Sequence, residues 1–543
     1  MRLIQARSLK FRDFNESDLP EYAILSHTWD PEEEVSLQDM SSPYLPTKKG
    51  YTKITETCRL ALNHGIEFVW VDTCCIDKTS SAELTESINS MFRWYQKAKV
   101  CYVHLADLSA ETRIEENLGA CRWFTRGWTL QELLAPKDLQ FFDREWNYRG
   151  SKSGFAADIS RITNIPQLAI AGQVSLKDFS TAQRMAWASQ RETTRVEDTA
   201  YCLLGLFDIN MPLIYGEGLK AFRRLQEEII RQGIDLTLFS WQPSDPHLQG
   251  PYSSLLASSP AEFRECHNIT PNEYGPIHAY AITNKGLQIS TSLILAPTAL
   301  GAPGVDDVAR YVLSLGQLRS RRTVSEIGIY LKKIGPSLLV RETAPTLANF
   351  FKSDRKSNRG TRTHTFYILA TVPHPSPGTD MQPAQLPAFH MPIYDHIRVD
   401  SGSEVPTGSW DHRTRVCFRP LSRETVVAYS FTASLGNTSL GLAMLFDFRD
   451  RSRRDPPRCL ILDKRSPEAR LLFLILQGKT AEPILWWEIE DGLPGIKRLT
   501  DHLRINNEGR EFEIITSINK RAVQSESHST ECPVLEIEIE EVL

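Results

Sequence analysis

Apolar residues recur along this chain in two rhythms, and the rhythm changes once. In the first part, short continuous apolar runs alternate with helical spacing. Residues 22–26, 66–71, 100–105 and 139–142 are short and rich in β-branched or aromatic side chains, which predicts buried strands. Between the first two, Ile54, Cys58, Ala61 and Leu62 recur at helical spacing ahead of Gly65, a glycine suited to a helix C-cap. Ser80 or Ser81 then caps a helix running to about Lys97, with Ile88, Met91, Phe92 and Tyr95 inward. Residues 128–135 place Leu130, Leu133 and Leu134 on one face after Gly127, and Pro136 ends that helix. Strand alternating with helix predicts an α/β domain with a parallel sheet covered by helices on both faces. Residues 154–241 continue as helices, at 182–190, 197–207 and 219–231.

The stretch 242–260 is rich in Pro, Ser and Gly and reads as a linker. Beyond it, residues 261–543 carry short strand-like runs divided by turn residues. Examples are 286–294, 328–332, 426–432, 441–446, 471–476, 484–489, 511–515 and 534–539. This spacing predicts a β-rich, sandwich-like region. The Pro-rich stretch 372–387 either splits it into two β modules or forms one long loop. No catalytic constellation stands out there, so recognition or restraint of the N-terminal domain is its default role.

Composition narrows the class. Hydrophobic residues at 41% and charged residues at 24% describe a globular protein, and a formal net charge of −5 over 543 residues gives no global argument for nucleic acid. The runs 352–362 and 449–458 read as solvated loops, because the aromatic interleaving of a nucleic-acid patch is lacking. Ten cysteines without a C-x-x-C pair fit free thiols in a reducing, cytoplasmic setting, with no metal site. No signal-peptide core, no apolar run long enough to span a membrane and no P-loop is present.

Ligands of parallel α/β sheets bind beyond the carboxyl ends of the strands, where the strand order reverses. Those ends carry Ser26, His27, Trp29, Asp72, Cys75, Asp77 and Asp107. Glu132 lies four residues after Trp128, on one stripe of the same short helix. Two readings stand: a solvated surface carboxylate, or an acid desolvated by the indole and tuned for catalysis. Arg191 and Arg195 lie near Glu197 and Asp198. They form either an ion-pair network between helices or an arginine pair for a diphosphate. The vicinal Cys74 and Cys75 read as buried packing before they read as a nucleophile or redox pair.

Five segments together resemble a known family. They are 22–29 (Tyr-Ala-Ile-Leu-Ser-His-Thr-Trp), 70–77 (Trp-Val-Asp-Thr-Cys-Cys-Ile-Asp), 126–133 (Arg-Gly-Trp-Thr-Leu-Gln-Glu-Leu), 191–207 and 215–218 (Tyr-Gly-Glu-Gly). In kind and order they are similar to the motifs of the fungal heterokaryon-incompatibility (HET) domain. The resemblance implies a HET domain at 1–241 that triggers cell death on non-self recognition, with other incompatibility or receptor proteins as partners and self-association on activation. HET domains in turn resemble TIR domains, which have a flavodoxin-like fold. That implies a TIR-like core at about 20–145 with a helical extension at 154–241. It also makes Glu132 the counterpart of the glutamate with which TIR enzymes hydrolyse NAD, although residue 129 is Thr where TIR domains usually have Cys. NAD would then be substrate, not cofactor, with Ser26, His27, Trp29, Asp72, Asp77, Trp128, Arg191 and Arg195 as candidate binding residues. The alternative is a non-enzymatic adaptor acting by HET-domain self-association.

Overall fold

The computed structural model of the chain describes residues 1–30, 33–244, 250–272, 279–296, 310–320, 323–344, 346–350, 363–372, 387–391, 397–399, 409–411, 416–418, 426–435, 438–447, 458–465, 469, 502–507, 510–524 and 529–542. The expected runs 471–476 and 484–489, and nearly all of 352–362, 372–387 and 449–458, lie outside these residues. The chain forms two compact units. One comprises Met1–Ser244, Leu256–Glu273 and Gly316–Thr323; the other comprises Asp245–Leu255, Tyr274–Leu315 and Val324–Leu543. The first unit thus takes in segments beyond the linker expected at 242–260. Buried polar contacts hold the first of them: the Gln226 side chain bonds both backbone groups of Ala257 at 2.9 Å, and Ser180 Oγ donates to Ile269 O at 2.7 Å.

The first unit is built on a seven-stranded mixed sheet. Its strands are β1 (Arg2–Gln5), β2 (Lys10–Asp13), β3 (Tyr22–His27), β4 (Phe68–Trp70), β5 (Val100–His104), β6 (Leu139–Phe142) and β7 (Tyr148–Ser151), in the order β2-β1-β4-β3-β5-β6-β7. The four expected strands form its parallel centre, β4-β3-β5-β6. All six residues of β3 are buried, as a strand covered on both faces requires. The antiparallel edges β1, β2 and β7 were not expected. Lys10–Asp13 and Tyr148–Ser151 are mostly polar and exposed or half-buried, so no apolar run announces them.

The helices of this core are α1 (Lys49–Asn63), α2 (Asp72–Cys75), α3 (Ser81–Lys97), α4 (Ile114–Asn117) and α5 (Thr129–Leu134). Gly65 ends the turn after α1 at φ +73°, and the Ser80 hydroxyl accepts the Glu83 N–H at the start of α3. The single helix expected over 197–207 is two turns, Asp198–Tyr201 and Leu204–Phe207. A Cβ on Gly205 would stand 2.1 Å from Phe92 Cβ, so the glycine is what lets α3 pack against the second turn.

The second unit is strand-rich. Val324–Gly335 pairs antiparallel with Leu338–Glu342, Val426–Leu435 with Thr438–Asp447, and Arg510–Gln524 with Ser529–Val542. Trp410, Tyr429, Phe431, Met444, Phe512 and Leu535 share one buried core drawn from a four-stranded and a six-stranded sheet.

Candidate active site

Ser26 and His27 are the last two residues of β3, so their side chains leave on opposite faces of the sheet. Each organises one half of the site. On one face, the Ser26 hydroxyl donates to Glu132 Oε2 of α5 and accepts the Trp123 indole N–H at 2.7 Å. The Tyr95 hydroxyl, which donates to Leu25 O at 2.9 Å, also reaches Glu132. Glu132 is only 5% exposed. Burial, and behind it the Asp72 carboxylate, push its carboxyl up to about 8, against the pull of Ser26, Tyr95 and Arg191.

On the other face, His27 Nε2 lies 3.1 Å from Asp72 Oδ1, and the Lys53 ammonium lies 3.1 Å from His27 Nδ1. A lysine can only donate, so His27 Nδ1 accepts from Lys53 and Nε2–H faces Asp72. Lys53 also bonds Thr28 O and pairs with Glu34. Asp72 opens α2 directly after β4, and its second oxygen accepts the Trp29 indole N–H at 2.9 Å. Burial would raise the Asp72 carboxyl. His27, Lys78 and Trp29 outweigh it and hold the group below the usual carboxylate range. Two carboxyls of opposite tendency thus lie at the strand ends: the surroundings favour the ionised form of Asp72 and the protonated form of Glu132. The parallel strand order reverses here, between β3 and its neighbours.

The candidates divide. Ser26, His27, Trp29, Asp72 and Glu132 come together, and Arg191 borders them. The Arg191 guanidinium donates to Arg126 O and to Thr129 Oγ1, both at 2.8 Å. Burial lowers it to about 10, with Cys202 and Glu132 pulling the other way. Asp77 instead caps the turn before α3, accepting the Thr79 N–H at 3.0 Å and its hydroxyl at 2.6 Å. Trp128 turns away from Glu132 and bonds Asp198, so the indole beside the acid is Trp123. Arg195 lies 4.5 Å over the Tyr215 ring, whose hydroxyl bonds Asp198 at 3.0 Å. Arg191 and Arg195 therefore do not meet as a pair, and neither forms an ion pair with Glu197 or Asp198 among the described residues. Lys53, Tyr95 and Trp123 had not been singled out as site residues. Of these, only Tyr95 carried a signal, as an inward residue of its helix.

The five motif segments make one contiguous network. The first meets the second at Asp72 and the third at Glu132. The third meets the fourth where Gly127 N donates to Glu192 O at 2.8 Å and Glu192 N donates to Thr125 O at 2.7 Å. A Cβ on Gly127 would stand 2.5 Å from Thr193 Cγ2, so only glycine fits. The fourth meets the fifth where Glu197 Oε1 accepts the N–H groups of Gly216 and Gly218.

Residues 22–116 match the heterokaryon incompatibility protein (HET) family. Vegetative incompatibility protein HET-E-1 of Podospora anserina is 50% identical over 227 residues. The chain carries a HET domain. That match takes in 40% of this chain and 17% of the relative, so the chain spans less than a fifth of that protein's length. Residues 220–285, overlapping the end of the expected HET region, match a domain of unknown function, DUF8212. No solved structure matches. The described residues include no helix long and apolar enough to cross a membrane and no cluster of three metal-type ligands.

Proposed function

We propose that this chain is an effector of fungal heterokaryon incompatibility, a non-self response ending in cell death, and that its HET domain hydrolyses NAD at Glu132. The carrying observation is the placement of Glu132: a proton-holding carboxyl at the strand ends, beside the point of strand-order reversal, with ionised Asp72 nearby. Numbered along the chain, the parallel strands run 2-1-3-4, the start of the flavodoxin-like order, which supports a TIR-like core.

In this reading the cationic nicotinamide ring draws Glu132 into its ionised form. The nicotinamide–ribose bond breaks with its electron pair going to nicotinamide, which leaves neutral. The oxocarbenium-like ribosyl centre is stabilised by the Glu132 carboxylate. Water adds to that centre and releases its proton to solvent, giving ADP-ribose. Trp29 supplies an aromatic face, and His27 and Asp72 shape the pocket. The partners of this effector are other incompatibility or receptor proteins and further copies of itself.

The 5% exposure of Glu132 favours a second reading, in which Ser26, Tyr95 and Glu132 are a buried core network of a non-enzymatic adaptor. Nicotinamide release by the full chain, dilute and then concentrated, beside Glu132→Gln, separates the two. Release that depends on Glu132 supports the enzyme. A folded, lethal and silent chain supports the adaptor.

A further inference from the structure

At the strand ends, three segments converge on an exposed rim of the first unit. Trp29 follows β3, Lys78 follows the turn after β4, and Arg122 opens the 3-10 turn that leads to α5. Trp29 is 42% exposed, yet its indole is fixed by its N–H bond to Asp72. Lys78 Nζ lies 3.7 Å over the Trp29 ring. Arg122 donates through Nη2 to Thr28 Oγ1 at 3.1 Å and to Trp29 O at 3.3 Å, both neutral oxygens. Its backbone N–H donates to Asp107 Oδ2 at 2.7 Å.

Charge accounting singles out two of these groups. The ion pair of the rim joins Lys53 to Glu34, and His27 contacts Asp72 at 3.1 Å. Asp72 acts on Lys78 at longer range, but its two oxygens are engaged by His27 and Trp29. Glu33 pairs with Lys49. Among the described residues, the Lys78 ammonium and the Arg122 guanidinium have no carboxylate in hydrogen-bonding contact; Lys78 lies over the exposed Trp29 ring and Arg122 on the Trp29 backbone carbonyl. Arg122 is held through Nη2, which leaves the N–H groups of Nε and Nη1, pointing to different sides, to donate singly to phosphate oxygens. Both side chains reach the surface, and burial against its neighbours pulls the Lys78 ammonium below its usual range.

We infer that Trp29, Lys78 and Arg122 bind the diphosphate and base of a nucleotide at the mouth of the site, with Arg122 and Lys78 holding the phosphates and the Trp29 indole stacking on the base. This deepens the proposal above and rests on its placement of the site at the strand ends. The test is calorimetric titration of the full chain with ADP-ribose at two salt concentrations, with Trp fluorescence in parallel. The paired proteins are wild type and the double variant Lys78→Gln, Arg122→Gln. Expected are binding that weakens with salt and a Kd raised at least about tenfold in the double variant. Lys78→Gln alone replaces the double variant if the latter melts lower.

Equal affinity in wild type and variant, or no binding by the wild type, overturns the inference. Cleavage of NAD with KM unchanged in the double variant removes this site and leaves the reaction standing. ADP-ribose held through these cations by a chain that never cleaves NAD removes the reaction and leaves the site standing.

Discussion

Glu132 and Glu197 both lie in segments that resemble HET-domain motifs, and both are buried, at 5% and 8% exposure. Their surroundings are opposite. Glu197 collects its own backbone N–H and those of Gly218 and Gly216, which hold its carboxyl below the usual range. It thereby clamps a turn in which Gly216 and Gly218 both adopt positive φ. Glu132 collects two hydroxyls and a like-charged neighbour, and its carboxyl is pushed up. A carboxylate satisfied by backbone N–H groups holds a fold together. One buried against its own ionisation is a burden on the fold, and such residues concentrate at functional sites.

The comparison can be broken in several ways. The largest expected effect is on turnover. Glu132→Gln should lower NAD cleavage by at least about 10²-fold, while Glu197→Gln, assayed well below its melting temperature, should leave kcat within about tenfold. Equal losses would remove the distinction.

The next effect is on stability, with opposite signs. Glu197→Ala strands three N–H groups and should destabilise the first unit by about 2–3 kcal/mol. Glu132→Gln should stabilise it by about 1–3 kcal/mol at pH 8. Urea unfolding followed by Trp fluorescence checks both, and a destabilised Glu132→Gln would mean the carboxylate is a structural tie.

The pH dependence sharpens the second point. Unfolded, Glu132 loses its proton near the ordinary 4.5; folded, it keeps it to about 8. The folded chain binds the extra proton across that window, so this group's contribution to stability falls as pH rises from 4.5 to 8. The wild-type minus Glu132→Gln difference in unfolding free energy isolates that slope, and a flat difference would contradict the pKa. NAD cleavage needs the ionised form and should rise toward pH 8.

The smallest effect concerns Asp72. Asp72→Asn removes the negative neighbour and should move the rising limb of the pH–rate profile to lower pH. An unmoved limb would show that burial alone sets Glu132.

The parallel centre of the first sheet was legible because four apolar runs, each buried on both faces, carry their own signal. The edge strands were not, because Lys10–Asp13 and Tyr148–Ser151 are placed by backbone pairing, not by apolar pattern. At the site, Glu132 was legible as the acid of a motif, but its indole neighbour was not. Spacing pointed to Trp128, four residues upstream. In the fold Trp128 precedes the first residue of α5 and turns to Asp198, and Trp123 reaches Ser26 across 97 positions. The helix over 197–207 is interrupted at Cys202 and Leu203, and its second turn carries the glycine against which Phe92 packs.

The sequence by itself determined the alternation of strand and helix, the change to short strands in the second half, and which carboxyl belongs to the motif set. These are local properties: side-chain period and turn chemistry act over a few residues. The tertiary structure alone decided that Glu132 is buried and Asp77 is a turn cap, that Arg191 and Arg195 part company, and that Asp72 is held ionised between His27 and Trp29. The physical reason is that a carboxyl group's charge state depends on the water, hydroxyls and charges within a few ångströms of it. For Glu132 the nearest of these, the Ser26 hydroxyl, lies 106 positions away along the chain.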